Sequence, residues 1–305
     1  MAYTLDSIPD LSGRVAVITG ANGGLGFETA KAFAAKGAHV VMAVRDQDKA
    51  ATASARIREA TPDAALELVE LDLGSQASVT RAAREIAARH PSIDILMNNA
   101  GVMASPEGRT VDGFETQMGI DHLGHWTFTA LLLPSLLAAA AARVVTVTST
   151  AHHFGRAIDP DRPYPPGRYQ AWPAYGNAKL ANYHFGLGLH DRFAEAGVRA
   201  QSLIAHPGLS HSDLQLRTVR EGGGGALAPF FARAAARTGM EPPAGAMPQI
   251  RAATDPAAKS GEFYGPRFVN NGRPVRLALL RPARKRAIAR LWAFSERETG
   301  VPIFS

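Results

Sequence analysis

The sequence predicts an α/β protein in which one doubly wound parallel sheet of about seven strands carries helices on both faces. Two observations predict this fold. Short, continuous apolar runs are typical of strands that are buried on both faces, and over the first two-thirds of the chain these runs alternate with longer helical stretches. The chain has 305 residues, of which 46% are hydrophobic and 20% charged. One sheet can accommodate that length, so we expect a single domain over residues 1–305.

The predicted strands and helices follow one another in strict alternation. The strands are predicted at residues 15–18, 39–44, 66–71, 93–97, 144–147 and 199–204. The helices are predicted at about 25–36, 47–60, 76–89, 112–140 and 174–195. Ligands of such sheets bind beyond the carboxyl ends of the strands, and the candidate functional residues lie there or on the helix that follows.

Two segments interrupt this alternation, and the chain ends in a basic extension. Residues 155–173 are rich in proline and predict an irregular loop. Residues 209–248 combine four consecutive glycines with several prolines, which is consistent with a substrate lid or with a plain surface excursion. In the extension 265–305, the basic run 281–290 predicts the solvated face of a helix that also carries Ile288, Leu291 and Trp292.

Charge and composition exclude several classes of function. The net charge of +6 would suit a nucleic acid, a membrane surface or an anionic ligand, but the basic run lacks the interleaved aromatic residues of a nucleic-acid-binding surface. No apolar stretch approaches the ~20 residues that span a bilayer, and the N-terminus does not resemble a secretory signal. We therefore expect a cytoplasmic protein that binds no nucleic acid. Cysteine is absent, which rules out disulfides and thiolate catalysis.

A glycine-rich loop at 19–26 lies between the first strand and the first helix and predicts a dinucleotide-binding turn. Gly20 would permit a tight turn, Gly24 would let backbone amides approach a pyrophosphate, and Gly26 would let the helix pack closely on the strand. The first helix would add unpaired N–H groups and a partial positive charge for the anion.

The residue after the second strand bears on the choice of cofactor. An acidic residue there would bind a ribose 2′-hydroxyl and favour NAD(H), whereas this chain has Arg45, which would pair with a 2′-phosphate. The neighbouring Asp46 would pair with Arg45 or cap the next helix. The sequence therefore favours NADP(H) over NAD(H).

Tyr175 and Lys179 are spaced i, i+4 at the start of a predicted helix and would share one face. A nearby ammonium favours the phenolate and would lower the tyrosine pKa toward the working pH, as an acid–base catalyst requires. The alternative is an amphipathic helix in which the pair is incidental. Ser149 follows the fifth strand and adds a hydroxyl at the same edge of the sheet.

In these motifs the chain resembles the short-chain dehydrogenases/reductases. The matching pieces are TGANGGLG at 19–26, LDL at 71–73, NNAG at 98–101, Ser149, YGNAK at 175–179 and HPG at 206–208. Within that family it is similar to the branch of retinol dehydrogenases and protochlorophyllide reductase, through VRD at 44–46, HLGHW at 122–126 and LWAFSERETGV at 291–301. The resemblance implies a Rossmann-type fold.

The resemblance also implies a role for each matched residue. Tyr175 would be the general acid or base, Lys179 would hold the nicotinamide ribose, and Ser149 would bind the reacting oxygen. The remaining cofactor-binding residues would be Gly20, Asn22, Gly23, Gly24, Leu25, Gly26, Arg45, Asp72, Leu73, Asn99, Ala100, Gly101, Pro207, Gly208 and Ser212.

The chain departs from this branch at Asp121, where an asparagine usually completes a catalytic tetrad. An ionised carboxylate accepts hydrogen bonds but cannot donate them. Asp121 would keep the proton relay by pairing with Lys179, with an altered pH dependence. The alternative is impaired turnover or a chemistry that does not need the relay.

The leading hypothesis is an NADP(H)-dependent reductase of aldehydes or ketones, or alcohol dehydrogenase in reverse, acting on a mostly apolar small molecule. The alternatives are reduction of a carbon–carbon double bond and a non-catalytic NADP-binding sensor. The histidines near the active edge have no carboxylate at a ligand spacing, so no metal is predicted. A homodimer or homotetramer is expected from the family.

Overall fold

The computed structural model describes residues 3–161, 163, 169–209, 239–280 and 285–304. Its sheet has eight strands in the order β3-β2-β1-β4-β5-β6-β7-β8. Every pair is parallel except β7 with β8, which is antiparallel. The strands are β1 (Val15–Thr19), β2 (His39–Val44), β3 (Leu66–Glu70), β4 (Ile95–Asn98), β5 (Arg143–Val147), β6 (Gln201–Ala205), β7 (Phe263–Pro266) and β8 (Pro274–Leu277). The doubly wound fold predicted from the sequence is confirmed.

Helices cover both faces of the sheet. Among the described residues these are α1 (Gly24–Ala34), α2 (Gln47–Ala60), α3 (Gln76–Arg89), α4 (Thr116–Met118), α5 (Gly124–Ala138), α6 (Ala171–Glu195), α7 (Pro242–Thr254) and α8 (Lys285–Thr299). Their apolar faces build two cores. Residues of α1, α2 and α7 form one core, and residues of α3, α5, α6 and α8 form the other.

The continuous apolar strands follow from this two-faced burial. On β1, Ala16 and Ile18 belong to the core under α1, whereas Val17 between them belongs to the opposite core. All three side chains are fully buried. Both faces of the central strand are therefore apolar, because neither meets water.

The long helix predicted over 112–140 is interrupted by a π-helical turn, Gly119–Leu123, between α4 and α5. A glycine stands at each end of this turn. A Cβ on Gly119 would lie 2.5 Å from Thr110 Cγ2, and one on Gly124 would lie 2.5 Å from the Leu73 carbonyl oxygen. The close packing at both ends accompanies the irregular turn, and Asp121 lies in it.

The C-terminal third differs most from the sequence prediction. The short antiparallel β8 was not predicted, nor was α7, which includes residues 242–248 of the segment considered as a lid. The rest of that segment, 210–238, lies outside the described residues. In α8, Ile288, Leu291 and Trp292 are buried as expected, while Lys285 and Arg290 are exposed. None of the described helices is long and apolar enough to cross a membrane.

Candidate active site

A cavity of about 380 Å³ opens at the carboxyl ends of the central strands. Its walls contain most of the residues that the sequence analysis selected: Gly20, Asn22, Gly23, Gly24, Leu25, Gly26, Asn99, Ala100, Gly101, Ser149, Tyr175, Lys179, Pro207 and Gly208. Arg45, Asp72, Leu73 and Asp121 do not line it, and Ser212 lies outside the described residues. The structure thus brings together residues from distant parts of the chain at one edge of the sheet.

The glycine loop forms a cradle that side chains would fill. Gly20 has a φ of +70°, in the left-handed region, and a Cβ there would lie 3.0 Å from that of Ala100. A Cβ on Gly26 would collide with the Gly20 carbonyl oxygen and lie 2.6 Å from Asn99 Nδ2. The loop, the start of α1 and the end of β4 therefore approach each other as closely as backbone allows.

The N-terminus of α1 presents its amides to this cradle. The N-cap residue is Gly23, which has no side chain to accept from the first-turn N–H groups, and the first turn carries no acidic residue. Unpaired amides and the helix dipole together favour an anion at this point. These residues fit the pyrophosphate of a dinucleotide.

Beyond β2, a cluster of charges forms the far end of the candidate cofactor site. Asp46 caps α2 by accepting from the Lys49 N–H at 3.0 Å, and its second oxygen pairs with Lys49 Nζ at 2.7 Å. These bonds with Lys49 lower the pKa of Asp46. Arg45 is exposed beside them, and Lys49, which the sequence analysis missed, lines the cavity. Of the two roles open for Asp46, the structure has the capping one.

Asp72 and Leu73 follow β3, the strand next to β2. Asp72 accepts from the Gly74 N–H at 2.9 Å and shapes the turn into α3. Leu73 is buried, and its carbonyl packs against Gly124. Both residues follow the strand that pairs with β2, the strand that Arg45 follows.

The Asn99–Ala100 wall of the cavity is held by Thr19, the last residue of β1. The Thr19 hydroxyl accepts from the N–H groups of Asn99 at 2.9 Å and Ala100 at 3.0 Å. It also lies 2.9 Å from Nε2 of His125, whose Nδ1 lies 3.0 Å from the Asp121 carbonyl oxygen. Burial lowers the pKa of His125 to about 4. A neutral ring that donates from Nδ1 and accepts at Nε2 satisfies both bonds.

Ser149, Tyr175 and Lys179 are brought together by the docking of α6 against the end of β5. The Thr148 hydroxyl donates to the Lys179 carbonyl at 2.6 Å, and this bond ties the residue before Ser149 to the helix that carries Tyr175. The Ser149 and Tyr175 side chains are hydrogen-bonded. Lys179 Nζ lies 5.5 Å from the centre of the Tyr175 ring.

Behind Lys179, Asp121 forms a buried ion pair with it. The distance from Lys179 Nζ to Asp121 Oδ2 is 2.9 Å, and the two side chains are 6% and 0% exposed. The other carboxylate oxygen accepts from the Val102 N–H at 2.7 Å. Gly101 makes room for the pair, since a Cβ there would lie 3.0 Å from both Asp121 Oδ1 and Lys179 Nζ.

Burial and neighbouring charges shift the pKa values of Asp121, Lys179 and Tyr175 in opposite directions. Burial raises the pKa of Asp121, and Lys179 opposes this effect. Burial alone would lower the pKa of Lys179, but the Asp121 carboxylate raises it. Burial also raises the pKa of Tyr175; Lys179 and the bond with Ser149 lower it, while Asp121 raises it further. Lys179 thus lowers the Tyr175 pKa as expected, but burial and Asp121 together raise that pKa by more.

Apolar side chains form part of the cavity wall. Met103, Phe154, Trp172 and Leu209 line it, and the Trp172 ring meets the Tyr175 ring edge-on at 6.1 Å between centres. None of these four was predicted from the sequence. They lie on loops or at the start of α6, where hydrophobic periodicity gives no signal.

The chain is similar to known proteins over most of its length. The family model for short chain dehydrogenases matches residues 14–221. Retinol dehydrogenase 12 of Homo sapiens is 43% identical over 67% of this chain and 64% of its own length. The short chain dehydrogenase/reductase dpchH of Colletotrichum higginsianum is 42% identical over 66% of this chain and 55% of its own. The match thus spans between about half and two-thirds of these relatives.

Solved structures share the fold. An uncharacterised protein from Mycobacterium paratuberculosis has a TM-score of 0.81 and 38% identity, with 99% of both chains covered. A short chain dehydrogenase from Shigella flexneri, crystallised with NADP, has a TM-score of 0.63 at 22% identity, covering 84% of this chain and 98% of its own. At that identity the second likeness concerns the fold alone.

Proposed function

The chain belongs to the short-chain dehydrogenase/reductase family, and we propose that it is an NADP(H)-dependent oxidoreductase that reduces an aldehyde or ketone of an apolar small molecule, or oxidises the corresponding alcohol. The observation that carries this proposal is the convergence of Ser149, Tyr175 and Lys179 in one cavity with the glycine cradle. A proton donor beside a dinucleotide cradle is what carbonyl reduction requires.

In the proposed reaction Tyr175 Oη donates its proton to the substrate oxygen. The bound nicotinamide would supply the hydride to the carbonyl carbon, so that C=O becomes CH–OH. The Ser149 hydroxyl, hydrogen-bonded to Tyr175, would bind the same substrate oxygen. Lys179 would stabilise the tyrosinate left behind, because its ammonium lies 5.5 Å from the ring centre. In alcohol oxidation the same groups work in reverse.

Asp121 would act in this reaction through Lys179. The ion pair at 2.9 Å keeps Lys179 protonated in a site from which water is largely excluded. The same negative charge raises the pKa of Tyr175, and the phenol is protonated at neutral pH, which is the form that a general acid needs.

The proposed preference for NADP(H) rests on the charges beyond β2. Arg45 is exposed, and Asp46 is engaged by Lys49 and the α2 backbone. Arg45 and Lys49 would together offer two cations to a 2′-phosphate, and charge-assisted hydrogen bonds to phosphate are strong. The apolar walls formed by Met103, Phe154 and Trp172 support an apolar substrate.

The purified protein tests this proposal directly. NADPH and NADH oxidation would be followed with a panel of aldehydes and ketones of increasing apolar size, together with enones. We expect NADPH-dependent turnover of the carbonyl compounds, with an alcohol as product. Saturated ketones as products from the enones would favour the double-bond reductase, and tight NADPH binding without turnover on any compound would favour the sensor. The cytoplasmic location and the dimer or tetramer stay predictions.

A further inference from the structure

Three side chains with metal-binding groups converge away from the cavity, at the amino end of the sheet. His39 is the first residue of β2, Glu67 lies on β3, and His90 follows the last residue of α3. One ligand atom from each residue lies within 4.8 Å of the other two. These residues are separated by 28 and 23 positions in sequence, so the fold alone brings them together.

The ring nitrogens and the carboxylate oxygen of this cluster face one another. His90 Nε2 lies 2.8 Å from Glu67 Oε2, and His39 Nε2 lies 3.3 Å from the same oxygen. The two imidazole rings are 4.9 Å apart between centres. Two ring nitrogens and one carboxylate oxygen therefore face a common point. We propose that His39, Glu67 and His90 form a binding site for a divalent transition-metal ion of the Zn²⁺ type.

A second layer of charges orients the carboxylate. Arg89 holds Glu67 Oε1 at 2.6 Å and is itself paired with Glu85 at 2.8 Å. Oε2 is thereby left to the two histidines, in the way that outer contacts orient the ligands of known metal sites.

The donor set selects the class of ion. Imidazole nitrogens suit Zn²⁺, Ni²⁺ and Cu²⁺, whereas Mg²⁺ and Ca²⁺ take oxygen ligands. The side chain of His39 is 38% exposed and that of His90 is 12% exposed, which leaves an open side where water completes the coordination.

The place of the site in the fold gives it a structural role. β3 is the outermost strand of the sheet on this side, and an ion held by all three residues would tie it to β2 and to the end of α3. Arg45 follows the other end of β2, whose six residues span roughly 17 Å at the usual rise per residue. Metal binding should therefore raise stability and leave the catalytic cavity unchanged.

The experiment uses the whole protein without a histidine tag, stripped with a chelator and titrated with ZnCl₂. We expect one ion to bind per chain and the melting temperature to rise, since a ligand of the folded state stabilises it. MgCl₂ should do neither. His39→Gln, His90→Gln and Glu67→Gln should each weaken Zn²⁺ binding by at least about tenfold, because loss of an outer contact alone costs that much in known sites.

Glu195→Gln on α6 is the matched control for Glu67→Gln, because each removes one negative charge paired with an arginine. It should bind Zn²⁺ as the unaltered protein does. His39→Gln replaces a partly exposed side chain, so its loss of binding cannot be ascribed to misfolding. Failure of the unaltered protein to bind Zn²⁺, or equal binding by Glu195→Gln and the three ligand variants, would overturn the proposal. Oxidoreductase activity should not change with Zn²⁺ occupancy, so the outcome is independent of the proposed reaction.

Discussion

Lys179→Met should destabilise the protein as well as inactivate it, because it leaves the Asp121 carboxylate buried without its partner. Asp121 is fully buried, and Lys179 Nζ, at 2.9 Å, is the cation paired with it. Removing one partner of such a pair typically costs about 3–5 kcal/mol. Methionine keeps most of the length and apolar stem of lysine, so the loss reports the charge more than a cavity.

Urea unfolding at pH 7 measures the loss in free energy of unfolding, and a double variant shows how much of that loss comes from the unpaired Asp121 charge. Lys179→Met with Asp121→Asn removes both charges, while an asparagine oxygen still accepts from the Val102 N–H. We expect the double variant to recover more than half of the lost free energy of unfolding and to remain inactive. The difference between the single and double variants isolates the interaction of the pair.

The deficit should also depend on pH. Burial raises the pKa of Asp121, and without Lys179 nothing opposes that effect except the bond from Val102. A carboxyl group whose folded-state pKa is raised favours folding below its unfolded pKa of about 3.9 and loses that contribution as the pH rises through the folded value. Lys179→Met should therefore be more destabilised at pH 8 than at pH 5. An unchanged urea midpoint at pH 7, or a double variant no more stable than the single one, would refute this account of the pair.

Two further substitutions test the candidate cofactor site. Arg45→Gln should raise KM for NADPH by about 10–100-fold, since a hydrogen bond to a charged group is worth about 1.5–3 kcal/mol, and should leave KM for NADH nearly unchanged. Arg84→Gln, which replaces an exposed arginine on α3, is the control. An equal rise in KM for both cofactors would argue against a 2′-phosphate contact. Gly26→Ala should abolish NADPH binding measured by fluorescence, because the new Cβ would collide with the Gly20 carbonyl oxygen. A Kd within about threefold of that of the unaltered protein would contradict the close packing of the cradle, since it corresponds to a change of less than about 1 kcal/mol.

The regular part of the fold was predictable because its signal is local. Helices α2 and α3 begin and end at the predicted residues, since each is capped by its own Asp46 or Ser75 side chain. The π-helical turn at Gly119–Leu123 was not predicted, because it accompanies packing against Thr110 and Leu73. The short β8 depends on pairing with β7 in the same way.

The candidate site was likewise predictable only where its sequence signal is local. Motifs on strand ends and helix starts placed the glycine cradle, Ser149, Tyr175 and Lys179 beside one cavity. Residues that act through distant partners gave no such signal. Gln249 on α7 donates to Asn99 Oδ1 at 3.0 Å across 150 positions, and His125 reaches Thr19 across 106. Only the folded chain brings these groups together.

The most direct test of the proposed reaction is the turnover of Tyr175→Phe with NADPH and a carbonyl substrate accepted by the unaltered enzyme. Tyr264→Phe, which removes a tyrosine hydroxyl bonded to Glu262 on the β7 side of the sheet, is measured beside it. We expect Tyr175→Phe to lose roughly 10²–10⁴-fold in kcat, as for loss of a general acid, and to bind NADPH as before. Tyr264→Phe should keep nearly full activity. A Tyr175→Phe enzyme with more than about a tenth of the normal kcat, a loss of under 1.4 kcal/mol in barrier, would contradict the assignment of Tyr175 as the proton donor.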